Sequence, residues 1–485
     1  MGISSGNITP ILSILPEILL LILALVVLGL DLGLKKFSPA LIGWVTVVGL
    51  IFSAIGGVMI SGHQSGGLYI WGGMLRQDAA ASVFQVIFIT GAALTAFFAL
   101  EDSKCVSAEF YFLLLISTLG MCLLAASSDL IMIYLSLELA SIPLYILAGF
   151  HYRETSSVEA GLKYMLYGAV ASTIMVFGFT FLYGFSGTTQ LYAINAAIQT
   201  GQIPPMVTTM AVMLILAGVG YKISAVPFHF WAPDVYEGAP TVVAGFISTA
   251  SKAAGFAVLL RLALTILPVL SPYSPYLLAA MAVASMLVGN LLAINQKNFK
   301  RLLAYSSIAQ AGYILVGVAA SNNLGAAGVT YYLMAYLVTN LTAFALAQVI
   351  GQANSNDDIS SLAGLTQRSP VLAFSLLVSL LSLGGIPPFA GFVGKLLVFS
   401  AGVQAGMAWL VIVAVLNSVL SLYYYLKVLK IAFLDHPRET PLIKIETNSW
   451  RIAFIVCLAG ILILGVIILP WYGWSITAAS SLALY

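Results

Sequence analysis

The chain has little charge and no extended polar segment. Only 7% of its 485 residues are charged, whereas 61% are hydrophobic, and the mean hydropathy is +1.05. Soluble domains carry about 25% charged residues, so this composition excludes a soluble globular protein. The net charge is only +2 and the basic residues are spread through short loops, which excludes a nucleic-acid-binding surface. The composition therefore indicates a polytopic membrane protein.

Cysteine is equally scarce. Cys105, Cys122 and Cys457 stand far apart, with neither a CxxC pair nor the spacing of metal ligands. We therefore expect no disulfide framework and no iron–sulfur centre. The sequence predicts no redox centre, no metal and no other cofactor on this chain.

Apolar runs of about 20 residues recur along the chain and predict an all-α protein with about fourteen membrane-spanning helices. The linkers are short, so no soluble domain is expected. The first run lacks a basic flank and contains Glu17, so it does not resemble a cleavable signal; the pattern does not explain Glu17. The predicted spans cover residues 11–30, 41–60, 79–100, 110–126, 130–150, 158–185, 206–230, 240–264, 276–294, 302–320, 324–350, 371–402, 408–433 and 450–469.

The basic residues lie mostly on one side of the predicted membrane. The opposite side holds only Arg76 and Arg261. By the positive-inside rule, the loops from odd to even spans face the cytoplasm and both termini lie on the outer side. Those loops and the adjoining helix ends hold Lys35, Lys36, Lys104, Arg153, Lys163, Lys297, Lys300, Arg301, Arg368, Lys427, Lys430, Arg438, Lys444 and Arg451.

Five consecutive spans repeat within the chain. Pro227 and Phe228 of the seventh span match Pro388 and Phe389 of the twelfth, and the fifth span matches the tenth in the same way. Five is an odd number, so the two units, spans 4–8 and spans 9–13, must be inverted relative to each other. Chance matching of apolar sequence is the alternative. The expected segments are three helices at 1–105, five-helix units at 106–268 and 269–435, and a C-terminal helix at 436–485.

Prolines in the interior of two of the repeated spans have a mechanical consequence. Pro227 interrupts the seventh span, and Pro387 and Pro388 interrupt the twelfth. Proline has no N–H to donate, so each helix should break within the membrane, where a free carbonyl needs a partner. The carbonyls expected to lose their donors are those of Ile223, Leu383 and Gly384.

Four charged residues lie inside apolar spans: Glu138, Lys222, Lys252 and Lys395. A charge at membrane depth costs at least ~2.5 kcal/mol, so such residues usually mark a path for ions or protons. Lys222 precedes one break and Lys395 follows the other, where hydration permits proton exchange. The alternative is a packing kink with a lysine whose ammonium reaches the interface. The sequence thus predicts a protein that moves charge across the membrane.

Glu138 is the one acidic residue deep in the fifth span. Burial makes a lysine release its proton more readily, and a nearby carboxylate makes it retain the proton. We therefore expect Glu138 to form an ion pair with Lys222 and to act as an electrostatic gate. A static salt bridge that only fixes helix packing is the alternative.

Two further polar residues are possible relay groups. Lys163 is either the inner mouth of the pathway or an end residue that reaches the interface. His229 is either a relay group or a structural histidine. The remaining polar residues near span ends are expected to be caps, loop charges or interface anchors; they are Asp129, Asp234, Glu237 and Arg261.

One stretch of sequence resembles a known family. Residues 222–241 read KISAVPFHFWAPDVYEGAPT, and Ser251 and Lys252 follow. This run resembles the signature of the antiporter-like subunits of respiratory complex I, and its Pro-Asp-Val-Tyr-x-Gly-Ala-Pro form is similar to the N-type subunit, called subunit 2 in mitochondria. Residues 298–307 and 384–395 match that family as well, so the resemblance covers nearly the whole chain.

The resemblance implies a role for each charged residue. Glu138 and Lys222 match the family's helix-five glutamate and helix-seven lysine, Lys252 the central helix-eight lysine, and Lys395 the lysine of the second broken helix, on the outer side. Lys163 matches a helix-six lysine. Family members carry no redox centre and move protons while partner subunits pass electrons from NADH to quinone.

The resemblance also implies partners and a location. It predicts a translocase subunit in a bacterial plasma membrane or an equivalent energy-transducing membrane, surrounded by lipid and by other membrane subunits of complex I. The sequence shows no long lateral helix of the L-type, which favours the N-type. Related subunits occur in cation/proton antiporters and membrane-bound hydrogenases. A stand-alone sodium/proton antiporter and a purely structural membrane subunit therefore remain as alternatives.

Overall fold

The computed structural model describes residues 10–33, 39–61, 67–102, 104–266, 274–354, 356–436 and 448–482. These residues form a bundle in which 13 helices are long and apolar enough to cross a membrane. The prediction of an all-α integral membrane protein is confirmed. The predicted boundary between residues 268 and 269 lies outside the described residues, as do Lys35, Lys36, Arg438 and Lys444.

The helices follow the predicted spans closely. In the first half they are α1 Pro10–Ser13, α2 Leu15–Gly33, α3 Pro39–Ser61, α4 Ala79–Ala99, α5 Ala108–Ala126, α6 Leu130–Ala148, α7 Thr155–Ser186, α8 Leu191–Gln199, α9 Pro205–Lys222, α10 Trp231–Gly238, α11 Thr241–Phe246 and α12 Lys252–Thr265. In the second half they are α13 Ser274–Ile294, α14 Phe299–Ala319, α15 Asn323–Asn354, α16 Leu365–Arg368, α17 Pro370–Gly384, α18 Ala390–Gln404, α19 Ala408–Leu434, α20 Asn448–Val466 and α21 Ile468–Leu482.

Both predicted helix breaks are present. The seventh span consists of α9 and α10, with Pro227 between them, and the twelfth consists of α17 and α18, with Pro387 and Pro388 between them. Each half of the twelfth span has 15 residues, which is too short to cross a bilayer that requires about 20. The two halves together therefore make one crossing, and with the 13 long helices they account for the predicted fourteen.

Besides the short helices α10 and α16, three elements lie outside the predicted spans. A hairpin pairs β1 Leu68–Ile70 with β2 Leu75–Gln77, and α8 lies in the loop between the sixth and seventh spans. The third is α21, where the sequence predicted a single C-terminal helix. Pro470 did not prevent this helix, because a proline in the first turn removes an N–H that would have no helical partner. The helix packs against α15 and α4, so the C-terminal segment returns to the bundle.

The helices differ in how deeply they are buried. The central axis consists of the segment Thr241–Thr265, α14 and α15. Within an apolar 18-residue stretch of each, 100%, 94% and 89% of the residues are buried, against 33% in the corresponding stretches of α2, α19 and α20. A side chain that points into the central helices is therefore enclosed by protein rather than by lipid. Lys252 lies in the most enclosed of these segments.

Charged side chains at one end of the bundle connect the loops that the sequence assigned to one side. Lys104 contacts Glu154 at 2.6 Å, and Lys300 contacts Asp357 at 3.1 Å. This agrees with the sorting of loops, while the side that faces the cytoplasm remains a prediction.

In each proposed five-helix unit the fourth span is the broken one. The inverted relation and the segment boundaries also remain predictions.

Candidate functional site

The three lysines predicted within the membrane are buried in the bundle. The exposed fraction is 0% for Lys252, 3% for Lys222 and 4% for Lys395. Each ammonium group donates hydrogen bonds to groups within the protein rather than extending to the interface. The contacts of Lys395 therefore differ from those expected of a lysine that reaches the interface.

Lys252 begins α12 directly after a single π-helical turn, Ile247–Ser251. Its Nζ donates to the carbonyl oxygen of Ser307 at 2.8 Å and to the Oγ of the same residue at 2.5 Å. A π turn inside a longer helix often occurs at a functional position, because it widens the backbone and redirects side chains. Here it brings the central lysine to a polar position on α14.

Lys395 completes the backbone of the second broken helix. Its Nζ donates to the carbonyls of Leu383 at 3.1 Å and Gly384 at 2.9 Å, and to Ser418 Oγ at 2.8 Å. The ammonium also lies 4.6 Å from the centre of the Tyr313 ring, a favourable cation–π position. The two carbonyls are those that the sequence predicted to lose their donors, so Lys395 provides the required partner.

Polar groups lie between Lys252 and Lys395 in two hydrogen-bonded sets. The sets meet at the adjacent residues Ser307 and Ser306 of α14, whose side chains share no hydrogen bond among the described groups. Ser306 Oγ and Tyr425 OH are 2.5 Å apart, and Gln310 Nε2 donates to Tyr425 OH at 3.3 Å and to the carbonyl of Leu383 at 2.9 Å. That carbonyl also accepts from Lys395. We call this set the polar line; it consists of Ser306, Ser307, Gln310, Tyr425 and the Leu383 carbonyl.

The sequence reasoning did not single out the side chains of the polar line. Three of them, Ser306, Ser307 and Gln310, are buried on α14. The available signal was their spacing, since residues three and four positions apart share one face of a helix. When an apolar span has hydroxyl and amide groups on one face, a polar or charged side chain of a neighbouring helix is expected against that face.

The predicted ion pair between Glu138 and Lys222 is not formed. Lys222 Nζ donates to Ser141 Oγ at 2.8 Å, and within the described parts of the chain it forms no salt bridge with Glu138. Glu138 Oε1 is buried and has no hydrogen-bond partner among the described groups. Ser141 and Glu138 share a face of α6, one turn apart, and the closer hydroxyl accepts from the ammonium. The prediction of direct contact was wrong, while the two charges lie near the same helix face.

Lys163 lies at the end of the bundle, apart from the polar line. Its ammonium contacts Glu159 at 2.8 Å and Asp234 at 2.6 Å. Arg301 contacts Asp234 at 2.8 Å and Glu237 at 2.7 Å. The acidic residues near the first break therefore bind cations from the neighbouring helices α7 and α14, as expected of interface anchors.

A cavity of about 650 Å³ opens at this end of the bundle. Among the groups that line it are Lys104, His151, Glu154, Glu237 and Lys300. The hydrogen bond from Lys104 keeps the pKa of the Glu154 carboxyl below its ordinary value, so this side chain is an anion at neutral pH. The cavity gives water and ions access to the loops on this side.

The remaining predicted residues have separate positions. His229 is 5% exposed, and its Nδ1 has no hydrogen-bond partner among the described groups. Asp129 caps α6 by accepting from the N–H groups of Ile131 and Met132, and the prediction of an end cap is confirmed. Arg261 forms a buried salt bridge to Asp78 at 3.0 Å.

Glu17 also has a position that the sequence could not explain. Its Oε1 accepts from Gln85 Nε2 at 2.5 Å, inside the bundle near the start of α4. Neither group contacts the polar line. Glu17 is therefore a buried carboxylate that is separate from the lysine series.

The fold and the buried charges define an integral membrane protein of the antiporter-like class. The chain belongs to the family described as NADH:quinone oxidoreductase/Mrp antiporter, transmembrane, whose pattern matches residues 127–421. That range includes all the lysines of the buried series and every member of the polar line except Tyr425. The resemblance seen in the sequence is confirmed.

Individual relatives agree with this family. The chain is 42% identical over 469 residues to NADH-quinone oxidoreductase subunit N of Moorella thermoacetica, covering 96% of this chain and 97% of that one. It is 41% identical over 432 residues to NAD(P)H-quinone oxidoreductase subunit 2 of Trichormus variabilis, covering 88% and 83%. It also matches a chain in the structure of respiratory complex I from Thermus thermophilus with bound Aureothin, at 34% identity and a TM-score of 0.80, covering 93% and 97%.

Proposed function

We propose that this chain is a proton-translocating membrane subunit of an NADH:quinone oxidoreductase. Protons move through it while partner subunits pass electrons from NADH to quinone, and the chain itself carries no redox centre. The observation that carries the proposal is the set of buried polar groups between Lys252 and Lys395, which is hydrogen-bonded to one lysine at Ser307 and to the other through the Leu383 carbonyl. The similarity to subunits named N and 2 supports the assignment to this kind of complex.

The lysines act as successive proton carriers. A neutral lysine accepts a proton, and an ammonium group donates one to a neighbouring hydroxyl or water. Ser306, Ser307 and Tyr425 have hydroxyl groups that both donate and accept, so they connect the lysines better than apolar side chains would. Gln310 and the Leu383 carbonyl hold the line in place, and water at the broken helix completes the transfer to Lys395.

Lys222 and Glu138 form the control point of the pathway. The ammonium rests on Ser141 in the described state, next to a buried carboxylate oxygen without a partner. When the Lys222 ammonium moves from the hydroxyl to the carboxylate, its proton affinity increases. The reverse movement lowers the proton affinity, and the proton is released toward Lys252. Lys163 and His229 serve as entry groups in this scheme.

The chain is oriented with both termini on the outer side of a bacterial plasma membrane or an equivalent energy-transducing membrane. Protons enter from the cytoplasm, pass Lys222, Lys252 and Lys395, and leave on the outer side. Its partners are the other membrane subunits of the complex and the surrounding lipid. The excess of basic residues in the odd-to-even loops supports this orientation.

The test is NADH-driven proton pumping by the assembled complex in vesicles, with native chain, Lys252→Ala and Lys430→Ala. Lys430 is an exposed lysine of α19, so its variant controls for loss of one positive charge. Native gels establish assembly of all three. The proposal expects Lys252→Ala to abolish pumping and Lys430→Ala to retain it. Native pumping by an assembled Lys252→Ala complex would assign the buried lysine a structural role.

A cation/proton antiporter subunit is the second candidate, because the family that matches this chain joins quinone oxidoreductases and Mrp antiporters. The same buried lysines would serve either complex. The two functions differ in what drives transport, so the vesicle assay is repeated with a sodium gradient and no NADH. Proton movement driven by sodium alone would favour the antiporter.

A further inference from the structure

Three side chains with metal-binding atoms meet at the end of the bundle that holds the 650 Å³ cavity. Asp102 and Cys105 lie in the turn between α4 and α5, and His151 lies in the turn between α6 and α7. Their ligand atoms all lie within 4.8 Å of one another. Cys105 is fully buried, and the exposed fraction of Asp102 is 6%. The sequence spacing gave no sign of this cluster, because 46 positions separate Cys105 from His151.

The distance between sulfur and nitrogen suits a bound metal ion. Cys105 Sγ and His151 Nε2 are 3.6 Å apart and share a hydrogen bond, in which a metal ion would take the place of the proton. A tetrahedral zinc ion, about 2.3 Å from a thiolate and about 2.0 Å from an imidazole nitrogen, separates the two ligand atoms by about 3.5 Å. The cluster therefore has nearly the spacing of a bound pair before any metal enters.

Hydrogen bonds join Asp102 to Lys104, Cys105 and a neighbouring helix. The N–H of Cys105 donates to the carbonyl of Asp102 at 2.8 Å, and the N–H of Lys104 donates to Asp102 Oδ1 at 3.1 Å. Gln348 of α15 donates to Asp102 Oδ2 at 3.1 Å. The carboxylate is thus held toward the cysteine, and each of its oxygens retains a lone pair for a metal.

The groups behind the histidine match the usual surroundings of a metal ligand. His151 Nδ1 lies 3.6 Å from Glu154 Oε2, and Lys104 Nζ lies 2.6 Å from Glu154 Oε1. A histidine that binds metal typically directs its other ring nitrogen at a carboxylate, which fixes the ring and its tautomer. With the Nδ1 proton directed at Glu154, the lone pair of Nε2 faces Cys105.

We propose that Asp102, Cys105 and His151 form a binding site for a zinc ion. Thiolate, imidazole and carboxylate together favour zinc over the hard cations magnesium and calcium, which prefer oxygen ligands. The cavity, lined by Asp102 and His151, gives access and leaves a fourth position for water or another ligand. The bound ion joins the turn before α5 to the turn before α7. This site is independent of the proton pathway proposed above.

The experiment measures zinc binding to the purified, assembled complex. The complex is first treated with a chelator, and radioactive zinc is then titrated in equilibrium dialysis. The native complex is compared with Cys105→Ser and with Cys457→Ser, which removes a buried cysteine of α20 that lies outside the cluster. We expect Cys105→Ser to lose one zinc per complex and Cys457→Ser to lose none. Equal zinc number and affinity in native and Cys105→Ser complexes would overturn the site.

A second variant covers failure of Cys105→Ser to assemble. Glu154→Gln keeps all three ligands and changes only the group behind the histidine, so zinc should still bind, about 10- to 100-fold more weakly. Arg153→Gln changes the exposed neighbouring residue and should bind zinc as the native complex does. Unchanged affinity in Glu154→Gln would contradict the geometry on which the site is based.

Discussion

The two broken helices hold their lysines in opposite ways. At the second break, Lys395 lies on the second half-helix and donates to both carbonyls at the end of the first half, Leu383 and Gly384. At the first break, Lys222 ends the first half-helix and donates across to a single hydroxyl, that of Ser141 on α6. One lysine is therefore part of the backbone architecture of its break, whereas the other is attached to a neighbouring helix by one exchangeable contact.

This difference assigns different roles to the two sites. An ammonium with three acceptors around it has little reason to move, so Lys395 acts as a fixed station. An ammonium with one acceptor and a nearby unpartnered carboxylate oxygen has two competing positions, so Lys222 acts as the mobile element. A group whose two positions differ little in free energy is easily shifted from one to the other, so we assign the control of proton transfer to Lys222.

The largest expected effect is a difference in stability between two variants that both lose proton pumping. Lys395→Ala removes the charged donor from the carbonyls of Leu383 and Gly384, which keep only the neutral donors Gln310 and Ser418. A hydrogen bond to a charged group contributes about 1.5–3 kcal/mol, so the variant should lower the stability of the subunit by about that amount. Lys222→Ala removes one contact to a hydroxyl and should cost less. Both variants should stop pumping. The measurements are pumping in vesicles and the temperature at which the subunit leaves the solubilised complex.

The contrast between these two variants tests the comparison directly. A conservative pair, Lys395→Arg and Lys222→Arg, keeps the charge and serves as the control for charge loss. If Lys222→Ala lowers the dissociation temperature as much as Lys395→Ala does, the two breaks have the same architecture and the distinction drawn above is wrong.

The sequence predicted the breaks because proline chemistry acts locally. The missing N–H groups of Pro387 and Pro388 free two specific carbonyls whatever the surrounding fold, so both the break and the need for a donor could be derived. The identity of the donor could not be derived, because the sequence placed Lys395 beside the break only as a group that exchanges protons. Its bonds to Leu383 and Gly384 are seen in the structure.

Contacts across helices were predicted less well, for a physical reason. The expected pair of Glu138 and Lys222 depended on the rotation of α6 relative to α9, which spacing along one helix does not determine. Ser141 lies one turn from Glu138, so a small rotation replaces a carboxylate by a hydroxyl as the acceptor. The cluster of Cys105 and His151 was missed in the same way, because it joins two turns that are distant in sequence.

A moderate effect is expected from the carboxylate at the first break. Glu138→Gln keeps the shape of the side chain and removes its charge, so Lys222 loses its second position. Pumping should fall about tenfold or more, the equivalent of ~1.4 kcal/mol on the barrier, while the dissociation temperature stays near the native value. NADH-driven acidification of vesicles is the measurement.

Glu17→Gln is the matched control for that variant. Glu17 is also a buried carboxylate with an oxygen that lacks a partner, but its contact is Gln85, away from the lysines. It should change pumping less than about twofold, which corresponds to ~0.4 kcal/mol. Equal losses in the two variants would indicate a general effect of removing a buried charge and would remove Glu138 from its assigned role.

The smallest expected effect concerns the backbone beside Lys395. Gly385 has a φ of +83°, and a Cβ at this position would lie 2.8 Å from Lys395 Cδ. Gly385→Ala should therefore cost about 1–2 kcal/mol from the left-handed backbone, and it should also displace the lysine, so that pumping falls several-fold. Gly406→Ala is the control, because its φ is +76° and a Cβ there meets nothing within 4 Å. Both variants are destabilised by the left-handed backbone, but only Gly385→Ala displaces Lys395, so only Gly385→Ala should slow pumping. An equal reduction in both would mean that the position of Lys395 is not critical and that its role is confined to completing the helix break.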